Sequence, residues 1–154
     1  MISFFKKKNH PFFTLAERER IVEAIRSNER RTSGEIRVFV ENRCSWVNPF
    51  DRAFEVFFGL KMDKTGDRNA VLVYVAVKDR QLAVFGDEGI HKKVDEGYWS
   101  AEVNKMIRKF SSESIAEGIR QCVIDIGDAL HQHFPFDNDT DKNELPDEIV
   151  FGNR

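Results

Sequence analysis

The run Ala70–Val77, AVLVYVAV, restricts the fold of this chain more than any other stretch. Eight consecutive apolar positions rich in Val make a strand covered on both faces. Lys78-Asp79-Arg80 breaks the run and turns the chain, and Gln81–Phe85 returns as a second strand. The hairpin carries two loops, Gly66-Asp67-Arg68-Asn69 and Gly86-Asp87-Glu88-Gly89, to one edge of the sheet. Carboxylates and flexible backbone beside an apolar sheet suit a metal or phosphate site. They suit an ordinary solvated loop as well.

Upstream, Thr14-Leu15-Ala16-Glu17 is a capping box that opens a helix running to about Asn28. Glu35–Glu41 alternates, with Ile36, Val38 and Val40 on one face, and is a strand with one well-buried side. Asn48-Pro49 starts a second helix, because Asn caps well and Pro is tolerated at the first helical position. The strand–helix–strand order implies a right-handed parallel crossover. Glu35 then lies at the same edge as Asp67 and Asn69. Beyond the hairpin, Ile90–Val94 forms a short helical turn and Tyr98–Phe110 a helix. Ser114 caps a last helix whose stripe Ile115, Ile119, Cys122, Val123, Ile126 and Leu130 reads as core. The class is α/β, with Ala70–Val77 parallel to Glu35–Glu41 and antiparallel to Gln81–Phe85.

A chain of 154 residues, 41% apolar and with 14 Phe, has enough material for one domain with a real core. Its 24 basic and 26 acidic residues leave a net charge of −2, which argues against a nucleic-acid partner. Lys6-Lys7-Lys8 and the acid-rich residues 137–154 read as solvated tails, so 1–12 is an N-terminal tail and 135–154 an acidic C-terminal one. No sustained apolar segment in Met1–Phe13 suggests a secretory leader. No apolar run approaches the ~20 residues that span a bilayer. A cytoplasmic protein without a membrane partner is expected. Cys44 and Cys122 match no zinc spacing.

The candidate metal ligands are Asp67, Asp87 and Glu88, supported by Glu35, Arg68, Asn69 and His91. Ca²⁺ and Mg²⁺ favour such oxygen ligands, and converging carboxylates repel one another unless a cation lies between them. Two geometric arguments oppose this. A tight turn at Asp79-Arg80 sets Asp87 opposite Leu72, five residues from Asp67, or roughly 16 Å at ~3.3 Å per residue. Parallel sheets also bind ligands at the carboxyl ends of their strands, where this chain places Glu41, Asn42, Lys78 and Arg80. The Asp87 loop must fold back over the edge, which Gly86 and Gly89 permit. With a cation in place, phosphate hydrolysis would use it to activate water, and Arg68 would pair with a phosphate oxygen. No catalytic residue is assigned: no nucleophile elbow, P-loop or GxGxxG pattern occurs.

A second acidic set, Asp137, Asp139, Asp141 and Glu148, has calcium-loop spacing. Lys142 stands where that loop needs Gly, and Pro146 obstructs the exiting helix. It reads as an acidic tail. His131 and His133, two apart on a helix, point to different sides and do not chelate one ion together.

Three segments in order, Thr32-Ser33-Gly34-Glu35-Ile36-Arg37-Val38, Arg68-Asn69-Ala70-Val71-Leu72-Val73-Tyr74-Val75-Ala76 and Gly86-Asp87-Glu88-Gly89-Ile90, resemble the TPM domain family over residues 13–134. Asn143-Glu144-Leu145-Pro146-Asp147-Glu148-Ile149 resembles the tail of its small cytoplasmic bacterial members. The resemblance implies an α/β sandwich, a central mixed sheet of at least three strands with helices on both faces. It also implies divalent-cation binding in some members and acid phosphatase activity in a plant thylakoid branch. This chain departs from the family at Asn69-Ala70, where many members have Asn-Gly. It departs again at Phe12-Phe13-Thr14-Leu15, where membrane-anchored and lumenal members have an acidic pair. The expectation is therefore a domain that binds Ca²⁺ or Mg²⁺ at the acidic loop edge, with a protein partner and without established catalysis. The alternatives are a metal-assisted phosphatase acting on phosphomonoesters and a structural interaction module whose acidic tail recruits a basic partner.

Overall fold

The computed structural model describes residues 12–44, 47–110, 114–136 and 145–153. Asp137, Asp139, Asp141 and Lys6-Lys7-Lys8 lie outside them. Four strands and five helices are described, in the order α1 (Leu15–Glu29), β1 (Glu35–Glu41), α2 (Pro49–Gly59), β2 (Ala70–Ala76), β3 (Gln81–Gly86), α3 (Glu88–Lys93), α4 (Glu96–Phe110), α5 (Ile115–His133) and β4 (Val150–Phe151). The strands form one sheet in the order β3-β2-β1-β4. β1 and β2 are parallel from Glu35↔Ala70 to Glu41↔Ala76. β3 runs antiparallel to β2, and β4 parallel to β1.

Alternation along the strands sorts the core into two sides. Ile36, Val38 and Val40 of β1, Val71, Val73 and Val75 of β2, and Leu82 and Val84 of β3 face α1, α4 and α5. Phe39, Ala70, Leu72, Tyr74, Ala76 and Ala83 face α2, with Met62 and Leu145 beside them. All seven residues of β2 are buried, as expected for a strand covered by helices on both faces. The local signals behave as read. The Thr14 hydroxyl accepts from the Glu17 N–H at 3.1 Å, and the Glu17 carboxylate accepts from the Thr14 N–H at 2.9 Å. Asn48 caps α2 through Asp51, with Pro49 first in the helix. The helix α1 docks on α5 where Gly127 leaves room for the buried Asn28, whose amide donates to the Val123 carbonyl at 3.0 Å.

Two features differ from the sequence reading. The hairpin connection is four residues long, Val77 to Arg80, and Arg80 turns with φ 48°. The register therefore shifts by two residues: Val71 faces Gly86, and the Asp87 N–H reaches the Ala70 carbonyl at 3.0 Å. Asp87 stands opposite Ala70 rather than Leu72, which removes two of the five residues of offset, roughly 7 Å of the expected 16 Å at ~3.3 Å per residue. The segment after 145 also does more than trail. Leu145 is buried, Val150 pairs with Phe39, and the Gly152 N–H bonds the Val40 carbonyl at 2.8 Å. Phe151 packs on Phe12 and Phe13, with ring centroids 6.0 and 6.3 Å away.

Candidate functional site

The amino end of β2 and the carboxyl end of β3 share one edge of the sheet, and each leads into a tight loop there. The Arg68 N–H closes a turn on the Thr65 carbonyl at 3.4 Å, with Arg68 at φ 51°. Across from it, Asp87 caps α3, its Oδ1 accepting from the Glu88 N–H at 2.8 Å. Gly89 presses on this turn. Its N–H donates to the Arg68 carbonyl at 2.8 Å, and a Cβ there would lie 2.1 Å from the Asp67 carbonyl oxygen. Only glycine allows that approach.

The Arg68 guanidinium ties the two loops together. Its Nε donates to Asp87 Oδ2 at 2.7 Å and Nη2 to Oδ1 at 2.9 Å, a two-pronged charge-assisted pair. Glu88 Oε2 lies 3.5 Å from Nη1. The hydrogen bond to Asp87 raises the Arg68 pKa above its ordinary value. Asp87 is therefore both helix cap and partner to a cation, and its charge is matched within the protein.

The other expected residues separate into two groups. Asp67 is exposed in the same turn, and Asn69 is 1% exposed at the head of β2. The Asn69 amide donates to Ser33 Oγ at 3.3 Å, but its buried Oδ1 has no partner among the described residues. Thr65, which the sequence reading passed over, also has a buried Oγ1 without a partner there. Glu35 and His91 point to other tasks. Glu35 is buried and accepts from the Leu145 N–H at 3.2 Å, holding the C-terminal segment. His91 Nδ1 lies 3.0 Å from Glu96 Oε1. Among the described residues no group of three or more His, Cys, Asp or Glu side chains is placed to hold a metal ion. At this edge of the sheet the buried oxygens left over among the described residues are those of the 65–69 turn; Glu29 Oε1, the other unpartnered one, belongs to α1.

The opposite end of the sheet holds a second arginine–carboxylate pair. Glu41 is completely buried, and Arg52 donates to its Oε2 from Nε at 2.9 Å and to its Oε1 from Nη2 at 3.1 Å. The Tyr74 hydroxyl also donates to Oε2. Burial, then the Glu41 hydrogen bond, pushes the Tyr74 pKa up. Nearby, the Cys44 thiol donates to the Val47 carbonyl at 3.1 Å, and burial raises its pKa. The backbone at Gly152 passes so close that a Cβ there would sit 2.8 Å from Glu41 Oε1. This end is where a parallel sheet ordinarily takes ligands, and here it is closed.

A model of the TPM domain matches residues 7–129. Among solved structures, the chain is 40% identical to the BA42 protein of the psychrophilic bacterium Bizionia argentinensis, covering 93% of this chain and 97% of that one, with a TM-score of 0.84. The N-terminal domain of the cg2496 protein from Corynebacterium glutamicum shares the fold at 16% identity and a TM-score of 0.60, over 77% of this chain and 74% of that one. The N-terminal domain of a P. gingivalis protein does so at 17% and 0.57, over 82% and 84%. The comparison with curated proteins returns no significant match. No helix among the described residues is long and apolar enough to cross a membrane. On its sequence match and its fold, this chain belongs to the TPM domain family.

Proposed function

We propose that the domain binds one divalent cation, Ca²⁺ or Mg²⁺, at the 65–69 turn. The observation that carries this reading is the pair of buried oxygens, Asn69 Oδ1 and Thr65 Oγ1, left unpartnered beside the exposed Asp67. Buried acceptors are nearly always satisfied, and leaving one unpaired costs about 1–3 kcal/mol. A hard cation would satisfy them with amide, hydroxyl and carboxylate oxygens of the kind it prefers. Asp67, Asn69 and Thr65 are the ligands in this reading, with Glu88 adjacent. Asp87 and Arg68 form the frame that holds the turn. With so few protein ligands, water completes the shell, and affinity falls near the weak end of known calcium sites, about 10⁻⁴–10⁻³ M. Arg68, the residue expected to grip a phosphate, is engaged by Asp87 and Glu88, so cation binding is favoured over hydrolysis.

The test is a calcium titration followed by backbone amide NMR, with thermal melts at fixed ionic strength and a chelator control. Saturable shifts are expected at Thr65–Asn69 and Gly86–Gly89. At tenfold excess over Kd the folded state gains about 1.4 kcal/mol. Asp67→Asn should lose most of that gain. A wild-type protein with no saturable shift at these amides defeats the reading.

A further inference from the structure

The sheet has two edges, and they are finished differently. β4 covers the outer side of β1. β3 is the other edge, and its sequence QLAVFG carries no charge and no proline, with an unbroken register against β2. Charges, prolines and bulges are the usual protections of an edge strand. In an antiparallel ladder alternate residues face the partner. Since the Asp87 N–H bonds Ala70, the N–H and C=O groups of Leu82, Val84 and Gly86 point away from β2. They make no hydrogen bond among the described residues.

These groups open into a groove of about 500 Å³. One wall is Phe50 of α2 above Phe85, with ring centroids 5.5 Å apart. The other is Trp99, Val103 and Ile107 of α4. The strand is recessed between the walls: Leu82, Ala83 and Val84 are only 6%, 5% and 4% exposed, whereas Phe50 is 53% and Ile107 38% exposed. The ionisable lining groups, His91 and Glu96, face each other, with Nδ1 3.0 Å from Oε1.

The geometry points to an extended, uncharged peptide segment of another protein, added to β3 as a further strand. Strand addition takes its affinity from main-chain bonds and its specificity from alternate side chains. Here those side chains would meet Phe50 and Phe85 on one face and Trp99, Val103 and Ile107 on the other, so the segment is apolar on both. A second copy of this chain does not fit. Its β3 is recessed behind the same walls, and two such edges cannot close to the ~4.8 Å that paired strands require. The exposed rim side chains also offer a few hundred Å² at roughly half of 150–250 Å² each. A standard interface buries about 800 Å² per partner.

Selection from a displayed library of random decapeptides tests this on the whole chain. Enriched peptides should carry an uncharged central run of β-branched and aromatic residues and bind at least tenfold more weakly to Ile107→Lys. That side chain is exposed, and circular dichroism verifies that the variant folds. Val84→Pro removes an outward N–H and spares the bonds to β2, so it should weaken binding similarly. A bound peptide should slow hydrogen exchange at Leu82, Val84 and Gly86. Failure to enrich, or peptides that bind both variants as tightly as wild type, would overturn the proposal. So would a concentration-dependent dimer in sedimentation that Ile107→Lys abolishes, because it would place a second copy in the groove.

Discussion

The two ends of the sheet use the same device, a carboxylate held by both prongs of an arginine, and differ in what surrounds it. Around Glu41 both oxygens are taken by Arg52, Tyr74 adds a third donor, and the Gly152 backbone packs so close that a Cβ would not fit. Around Asp87 the pair is equally well formed, but Arg68 is 34% exposed and two buried acceptors beside it stay unpaired. An ion pair in a cleft therefore does not mark a site by itself. The Glu41 pair has the deeper burial and the larger electrostatic perturbation, yet it is a lock. The neighbouring leftover oxygens distinguish the Asp87 end.

The largest effect should come from breaking the lock. Arg52→Met strands a completely buried carboxylate, and loss of one partner of a buried pair costs about 3–5 kcal/mol. Urea unfolding should show it. Adding Glu41→Leu to that variant should restore most of the loss, because removing both partners of a buried pair is close to neutral. If the double variant is as unstable as the single one, the cost lies in Arg52 packing on Phe39, 6.0 Å away, and not in charge.

Breaking the other pair should cost less, because Arg68 is 34% exposed and Asp87, though only 3% exposed, keeps the Glu88 N–H as a second donor. Arg68→Met and Asp87→Asn should each lower stability, by less than Arg52→Met in the same urea experiment. The sign is informative. Unmatched carboxylates would make Asp87→Asn stabilising through relief of repulsion; a carboxylate held by Arg68 and capping α3 makes it destabilising.

The elements were legible where one local rule decides them. The capping box at Thr14, the Asn48-Pro49 start, the alternation of Glu35–Glu41 and the apolar run of β2 each act within a few residues. The register was not, because Val77–Arg80 contains no Gly or Asn to announce a four-residue connection, and Arg80 adopts its positive φ without that signal. The strand β4 was not either. Two residues have no period, and their partner β1 lies far along the chain. For the candidate site, the sequence located the edge and brought Asp67, Arg68, Asn69, Asp87 and Glu88 to it. It did not reveal that Arg68 neutralises Asp87, or that Glu35 turns to Leu145. Those depend on side-chain directions that spacing does not specify. Glu41 escaped notice as a buried group because its partners come from α2 and β2, and nothing local links them.

The smallest effect is the sharpest test of the contrast. If Asn69 is present for the architecture, replacing it must cost stability in metal-free buffer. If it is present for a ligand, the apo protein already carries the penalty of a buried, unpaired Oδ1. Asn69→Leu, of similar size, removes that acceptor along with one 3.3 Å hydrogen bond to Ser33. The two changes oppose each other, since a net hydrogen bond is worth about 0.5–1.5 kcal/mol and an unsatisfied acceptor costs about 1–3 kcal/mol. Taking the middle of each range, the variant should be stabilised in chelator by about 1 kcal/mol. In excess calcium the order should reverse, because only wild type gains from the ion. A thermal melt of both proteins with chelator and with calcium reads all four states. A variant destabilised by the same amount in both buffers would make Asn69 a structural residue and leave the 65–69 turn no different in kind from the closed end at Glu41.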